Sequence, residues 1–141
     1  MRRLFIFALL SLVNCTLLED SFDSDALTSS EGEKIYINSV NWGVGADKQL
    51  SIVTKDPNRL RERDTLDAVY GLDPFIYSFE NDTLTLFFTD EAHYAIKESF
   101  ETITVEYKVV SRDKLRELDT RSEVNYGYHS VPRSKKELPN D

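Results

Sequence analysis

The side chains of this chain best suited to metal chemistry lie close together at Asp90, Glu91 and His93. On a helix, residues one and three positions apart do not all converge on one point. A closed zinc site needs three or four protein donors, and the only other histidine, His129, lies near the C-terminus. The sequence therefore predicts no metal site.

The sequence also lacks the combination of residues that nucleophilic catalysis needs. The chain has serines, but it has no Gly-x-Ser-x-Gly turn and no second histidine in an ordered position, so no triad can be assembled. The 25 acidic residues offer many carboxylate pairs of the kind that cleave glycosidic bonds, although no insertion that would form a cleft is visible. We predict that the protein is not an enzyme, and a small hydrolase with an Asp/Glu pair is an alternative.

The residues Asp90-Glu91-Ala92-His93 also spell the motif of one class of helicases, and an apolar strand, Leu84–Phe88, precedes them. In those enzymes the acidic residues hold a magnesium ion whose nucleotide sits on a P-loop. The glycine-containing loop Gly43–Asp47 lacks both the P-loop glycine frame and its Lys-Ser/Thr ending. We interpret the match as coincidence, and we predict no cofactor.

Trp42 is a possible ligand contact. It lies at the end of a predicted strand, Lys34–Trp42, beside the loop Gly43–Asp47, where glycines would let a sugar approach the indole ring. This favours a carbohydrate-binding module as an alternative function. The preferred interpretation is that the ring is buried or mostly buried over the end of the core, because a large aromatic gains most by leaving water.

The N-terminus has two arginines followed by a mostly apolar run, Leu4–Val13. The run is too short to cross a bilayer as a helix but has the length of a signal-peptide core. Leu12-Val13-Asn14-Cys15 resembles the lipobox of bacterial lipoproteins, with Asn14 where a smaller residue is usual. The resemblance implies a signal peptide at 1–14 and a lipid (palmitate) on Cys15, which would anchor the chain in the bacterial cell envelope, at the outer membrane or cell surface. Ordinary secretion is the alternative.

Charge limits the possible partners. Without the arginines of the signal, 15 basic and 25 acidic side chains remain, a net charge of −10. Phosphate binding needs clustered lysine and arginine, so we predict no nucleic-acid partner. Anionic lipid surfaces are repelled as well, so membrane association would come through the lipid anchor.

The element that organises the folded part is a predicted hairpin at Asp73–Thr89. Alternate residues on both arms are apolar, and a two-residue loop at Asn81-Asp82 brings apolar residues opposite apolar ones. The apolar pairs predicted on one face are Phe75 with Phe88, Tyr77 with Leu86, and Phe79 with Leu84.

The remaining elements are read from composition and periodicity. Residues 15–33 are acidic and serine-rich, which predicts a flexible, lipidated tether. Residues 34–118 should form one all-β domain, a small antiparallel sandwich or meander barrel of five to six strands, with one short helix at Asp90–Phe100. Arg112–Leu118 would add a helical turn, and residues 119–141 are predicted to be disordered.

Together these features predict a non-enzymatic, lipid-anchored envelope protein that acts as a small binding or protein-interaction module. Its partner, a protein or a carbohydrate, is not specified by the sequence.

Overall fold

The computed structural model describes residues 21–42, 48–61, 71–92, 95–124 and 126–132. Within them the chain forms seven strands in two sheets and one helix. The first sheet contains, in spatial order, β1 (Ser21–Thr28), β2 (Lys34–Trp42) and β3 (Lys48–Thr54). The second contains β6 (Thr104–Val109), β5 (Thr83–Phe88), β4 (Phe75–Glu80) and β7 (His129–Val131). The helix, α1 (Arg112–Ser122), lies against β4 and β7 of the second sheet.

The predicted all-β sandwich is confirmed, since the sheets enclose a main core between their inner faces and the described strands do not close into a barrel. Burying each large apolar side chain contributes roughly 1.5–3 kcal/mol, so this core is the principal source of stability. Both sheets and the segments joining them supply its buried residues: Ile35, Ile37, Val53, Leu72, Phe75, Tyr77, Leu84, Leu86, Phe88, Ile103 and Val131.

The central hairpin has the predicted register. Its turn residues Asn81 and Asp82 have φ values of 49° and 58°, which are the left-handed values that a type I′ turn requires. Alternation of apolar residues therefore sets the pairing of β4 with β5. The apolar pairs on the core side include Tyr77 with Leu86 and Phe79 with Leu84.

The connection that follows this hairpin differs from the prediction of a purely antiparallel domain. β6 runs parallel to β5, with Thr83 opposite Thr104. β6 begins beside the hairpin turn, where the Thr104 amide donates to the Asp82 carbonyl at 2.9 Å. The connection is thus a crossover along the sandwich and not a hairpin. The predicted count of five to six strands is too low, because segments at both ends of the chain add strands.

The short helix predicted at Asp90–Phe100 does not form over residues 90–92 and 95–100. Ala92, Ile96 and Phe100 do share a side, and they pack against the main core from within the crossover. Their spacing predicts their apolar contacts correctly, but it does not predict the backbone conformation. The crossover has to return along the length of β5, and a strand of six residues spans about 20 Å. A helix of eleven residues would rise only about 16 Å, so a more extended backbone suits the crossover.

The prediction of a flexible tether over residues 15–33 is wrong from residue 21 onward. Ser21–Thr28 forms β1, which pairs with β2 along its whole length. The acidic composition is tolerated because polar groups find partners: Asp25 accepts a hydrogen bond from the Tyr77 hydroxyl at 3.1 Å, and the Ser24 hydroxyl donates to Asn38 at 2.7 Å. Leu27 packs against the main core.

Glu33, just before β2, fastens the end of the crossover to the first sheet. Its carboxylate accepts hydrogen bonds from the amides of Glu101, Thr102 and Ile103, at distances between 2.6 and 3.2 Å. Lys55 lies 3.2 Å from the same carboxylate. These donors, above all the Thr102 amide, lower the pKa of Glu33 from 4.5 to about 2, because they favour the charged form.

The prediction of disorder over residues 119–141 is wrong for the described part of that segment. α1 continues to Ser122, well beyond the predicted turn at Arg112–Leu118. Residues His129–Val131 then form β7, which pairs antiparallel with β4. A strand of three residues is too short to show alternation, so the sequence pattern gives no signal for it.

Candidate ligand-binding site

Trp42 lies on the outer face of the first sheet, the face turned away from the main core. There the ring is partly buried against a satellite cluster of apolar side chains, instead of covering the end of the main core as predicted. Its role as a ligand contact stays a prediction, and the loop Gly43–Asp47 beside it lies outside the described residues. The satellite cluster consists of Val40, Ile52 and Leu60, with Phe22, Leu50 and Trp42 packed against them.

The turn that follows β3 closes this outer face. Asn38 is 0% exposed, and its amide nitrogen donates to the carbonyls of Asp56 at 3.0 Å and Arg59 at 2.9 Å. These bonds hold the turn so that Leu60 is 1% exposed in the satellite cluster. Leu60 has a φ of 76°, a conformation that is costly for a branched side chain. The outer face of the first sheet is therefore occupied by the chain's own side chains.

α1 lies on the outer face of the second sheet, over β4 and β7. The helix starts at a favourable cap, since the Ser111 hydroxyl accepts a hydrogen bond from the Lys114 amide at 3.3 Å. Its solvent side carries ion pairs of Glu117 with Lys114 at 2.9 Å and with Arg121 at 2.7 Å. The hydrogen bond from Lys114 lowers the pKa of Glu117.

The C-terminal half of α1 is the part held against the sheet. Leu118 and Ser122 are its buried residues. The hydroxyls of Ser122 and Ser130, which lies on β7, are 2.7 Å apart. The Ser130 hydroxyl also donates to the Asp119 carboxylate at 2.5 Å. One apolar side chain and a small hydroxyl network thus anchor this end of the helix.

The N-terminal half of α1 stands away from the sheet and leaves a pocket of about 370 Å³ beneath it, called here the α1 pocket. Its floor is the outer face of β4 and β7, where alternation turns the Ile76 side chain toward the pocket; Phe75 and Val131 also line the floor, but their side chains belong to the main core. The volume lies within the range of small-molecule sites. Besides the floor, the lining comprises Arg112, Leu115, Arg116 and Asp119 of α1 and Pro74, Thr89, Ser130 and Pro132 of the strands and their flanks.

The rim of the α1 pocket carries two arginines. The Arg112 guanidinium lies 2.9 Å from Glu91, and that of Arg116 lies 3.7 Å from Asp113. The two arginine side chains are 71% and 82% exposed, and exposed ion pairs of this kind contribute only about 0–1 kcal/mol. A guanidinium has five N–H donors, so both arginines can also bind an anionic group at the pocket mouth.

The α1 pocket combines an apolar surface with few polar groups. Among the described residues that line it, Asp119 is the single acid, so they contain no Asp/Glu pair of the kind a glycosidase needs. Ser130 lies beside His129 in sequence, but the His129 ring stacks on Tyr77 of the main core at 4.9 Å. Alternation on β7 therefore turns this histidine away from the pocket.

The residues with metal-binding potential remain dispersed in the described part of the chain, where no three His, Cys, Asp or Glu side chains form a metal-binding group. Asp90 and Glu91 are exposed in a turn, and Glu91 pairs with Arg112. His93 and the predicted lipidation site Cys15 lie outside the described residues. Within those residues, no helix has the length and apolar character needed to cross a membrane.

Sequence reasoning missed the α1 pocket, although a signal for it exists. Arg112, Leu115, Arg116 and Asp119 have the spacing of one helix face, and the structure turns this face toward the sheet. A helix face that simply packs on a core is expected to be mostly apolar. Three charged residues out of four indicate a face that lines a space open to solvent.

Comparisons of the chain with protein-family models, with curated proteins and with solved structures find no match.

Proposed function

We propose that this chain is a bacterial cell-envelope lipoprotein whose sandwich is a non-enzymatic binding module, with its ligand in the α1 pocket. The observation that carries the proposal is the pocket itself. It has an apolar floor on the second sheet and a few polar groups at its rim, which is the usual composition of a small-molecule site.

The chemistry of the lining supports binding over catalysis. Ser130 shares its hydrogen bonds with Asp119 and Ser122 in the network that anchors α1, and no histidine is among the described residues of the lining to activate Ser130 or Thr89 as a nucleophile. The satellite cluster already covers part of Trp42, which leaves less of the ring for a sugar. We therefore place the ligand under α1 and not at Trp42. The net charge of −8 argues against a nucleic-acid partner.

The anchor is tested separately from the pocket. Cells expressing the wild-type chain are fed radiolabelled palmitate, and label should enter the wild type but not Cys15→Ala. Equal labelling of both chains, or of neither, would refute the lipid anchor and with it the envelope location through lipid.

The pocket is tested with Nile red, a neutral apolar dye that fluoresces when it leaves water. The full chain is used with Cys15→Ser, which keeps it unacylated. Leu115→Trp should fill the α1 pocket and abolish the saturable part of dye binding. The matched control is Val124→Trp, because Val124 is 59% exposed and does not line the pocket. Equal binding by all three chains would refute the binding site.

A further inference from the structure

Resting on the proposed binding function, we infer that the ligand of the α1 pocket is a small amphipathic carboxylate, such as a medium-chain fatty acid. Its apolar body would lie between Ile76 of the floor and Leu115 of α1, beside Pro74 and Pro132. Its carboxylate would lie at the mouth, between the guanidinium groups of Arg112 and Arg116.

The floor selects for an apolar body. Ile76 is the apolar side chain of the sheet that points to this face, Leu115 of α1 lies above it as a half-buried side chain, and Pro74 and Pro132 add apolar lining. A ligand that covers the remaining apolar surface gains from its removal from water. A sugar would instead leave most of its hydroxyls without partners against this surface.

The distribution of charge selects for an anionic head. Arg112 and Arg116 are one helical turn apart on α1, and both line the pocket, so both guanidinium groups are within reach of its mouth. A carboxylate can accept from both, and charge-assisted bonds to arginine are among the stronger hydrogen bonds in proteins. Arg112 also begins α1, where the positive end of the helix dipole adds to the attraction.

The one acid in the lining does not oppose this assignment. Asp119 lies nearer the anchored end of the helix, and its carboxylate accepts from Ser130 at 2.5 Å. The partners of the two arginines, Glu91 and Asp113, are 74% and 97% exposed. Ion pairs this exposed are weak, so a ligand carboxylate can replace them at little cost.

The head group is tested by titrating the ¹⁵N-labelled full chain carrying Cys15→Ser with three probes of equal length: decanoate, decan-1-ol and decyltrimethylammonium. The shifts of the Leu115, Ser130 and Val131 amides give the affinity at the pocket itself. Decanoate should bind about five- to tenfold more tightly than decanol, as expected for two exposed charge-assisted contacts, and the cation should bind most weakly.

Matched variants identify the groups that bind the head. Arg112→Gln and Arg116→Gln should each weaken decanoate about two- to fivefold, as expected for exposed ion pairs, and leave decanol unchanged. Arg121→Gln is the control, since Arg121 is on the same helix but pairs with Glu117 outside the pocket. It should change neither affinity.

The possible failures of the two proposals can be told apart. If decanol or the cation binds as tightly as decanoate, or if the arginine variants behave like Arg121→Gln, the carboxylate assignment is wrong and the pocket stands. If no ten-carbon probe shifts the pocket amides while Nile red still binds, the carboxylate assignment is again wrong. If Nile red also fails, the binding function itself is wrong.

Discussion

The two sheets of this sandwich have outer faces that are covered in different ways. On the first sheet, the turn after β3 inserts Leu60 into the satellite cluster, and Asn38 fixes that turn through two carbonyls. On the second sheet, α1 is anchored only near Leu118 and leaves a pocket of about 370 Å³ under its other half. One face is closed by the chain itself, and the other can be closed by a ligand.

The difference lies in which side chains the covering segment offers. Leu60 is one apolar side chain on a short turn, and it fits the face it covers. The face of α1 over the sheet offers Arg112 and Arg116, whose charged groups cannot be buried without a partner. The helix can therefore pack closely only where Leu118 and Ser122 meet the sheet.

The largest loss of stability should come from truncating a side chain that covers the outer face of the first sheet. Leu60→Ala removes a side chain that is 1% exposed and should lower the free energy of unfolding by about 2–5 kcal/mol. Leu115→Ala makes the same change on the open face. Leu115 is only half-buried beside a space that already exists, so its truncation should cost less than about 1 kcal/mol. Urea denaturation of both variants measures the contrast, and equal losses would refute the distinction between the faces.

The next effect concerns the polar contacts that hold the closed face. Asn38→Ala removes the hydrogen bonds from the Asn38 amide to the carbonyls of Asp56 and Arg59, and each lost bond should cost about 0.5–1.5 kcal/mol. Asn41→Ala, on the same strand, removes an exposed contact to Ser21 at 3.3 Å and should change stability by less than about 0.5 kcal/mol. Thermal unfolding of both variants would decide; a loss for Asn41→Ala as large as that for Asn38→Ala would mean that Asn38 does not fix the turn.

The opposite change, a larger side chain in place of a smaller one, tests the same difference between the two outer faces. Ile52→Phe adds volume to the satellite cluster and should destabilise the protein by about 1–3 kcal/mol. Leu115→Phe adds similar volume above the α1 pocket, where room exists, and should be close to neutral. If Leu115→Phe is the more destabilising change in chemical denaturation, the pocket is smaller than described.

The smallest expected effect on stability concerns Glu33, which lies on neither outer face and joins the crossover to the first sheet. Its pKa is about 2 in the folded chain, below the ordinary value of 4.5, so its contribution to stability is fully present above pH 4.5 and is lost as pH falls toward 2. Glu33→Gln should therefore be less stable than wild type at pH 6, and the gap should close near pH 2. Thermal melts across this range measure it, and a gap independent of pH would contradict the assignment. Dye binding at pH 6 should be the same in both chains.

The sequence predicts the parts of the fold that local pattern determines. Alternation and the turn residues Asn81 and Asp82 suffice for the register of the central hairpin, because a one-residue slip would turn apolar side chains to the wrong face. The pattern fails where a partner distant in sequence decides the structure. Acidic β1 is stabilised by β2 and by the Tyr77 hydroxyl, and the three residues of β7 are a strand only because β4 lies beside them.

The candidate site was harder to predict for the same reason. From the sequence, Trp42 is predicted as a ligand contact because it is a large aromatic beside glycines. Leu60, which packs in the same cluster, lies on a turn that no periodic pattern predicts. The α1 pocket joins residues of β4 and β7 to residues of α1. Its arginines have a helical spacing that the sequence shows, but the space they border exists only after the helix has packed on the sheet.

The central claim, that the open face is the binding face, can be tested most directly with a neutral apolar nitroxide, 4-hydroxy-TEMPO benzoate, added to the ¹⁵N-labelled full chain with Cys15→Ser. Paramagnetic broadening of backbone amides reports where the probe resides on either face. We expect saturable broadening at Leu115, Arg116, Ser130 and Val131 that is absent in Leu115→Trp, with Val40 and Trp42 unaffected. Saturable broadening centred on Val40 and Trp42, with the amides of the α1 pocket unchanged, would contradict the central claim.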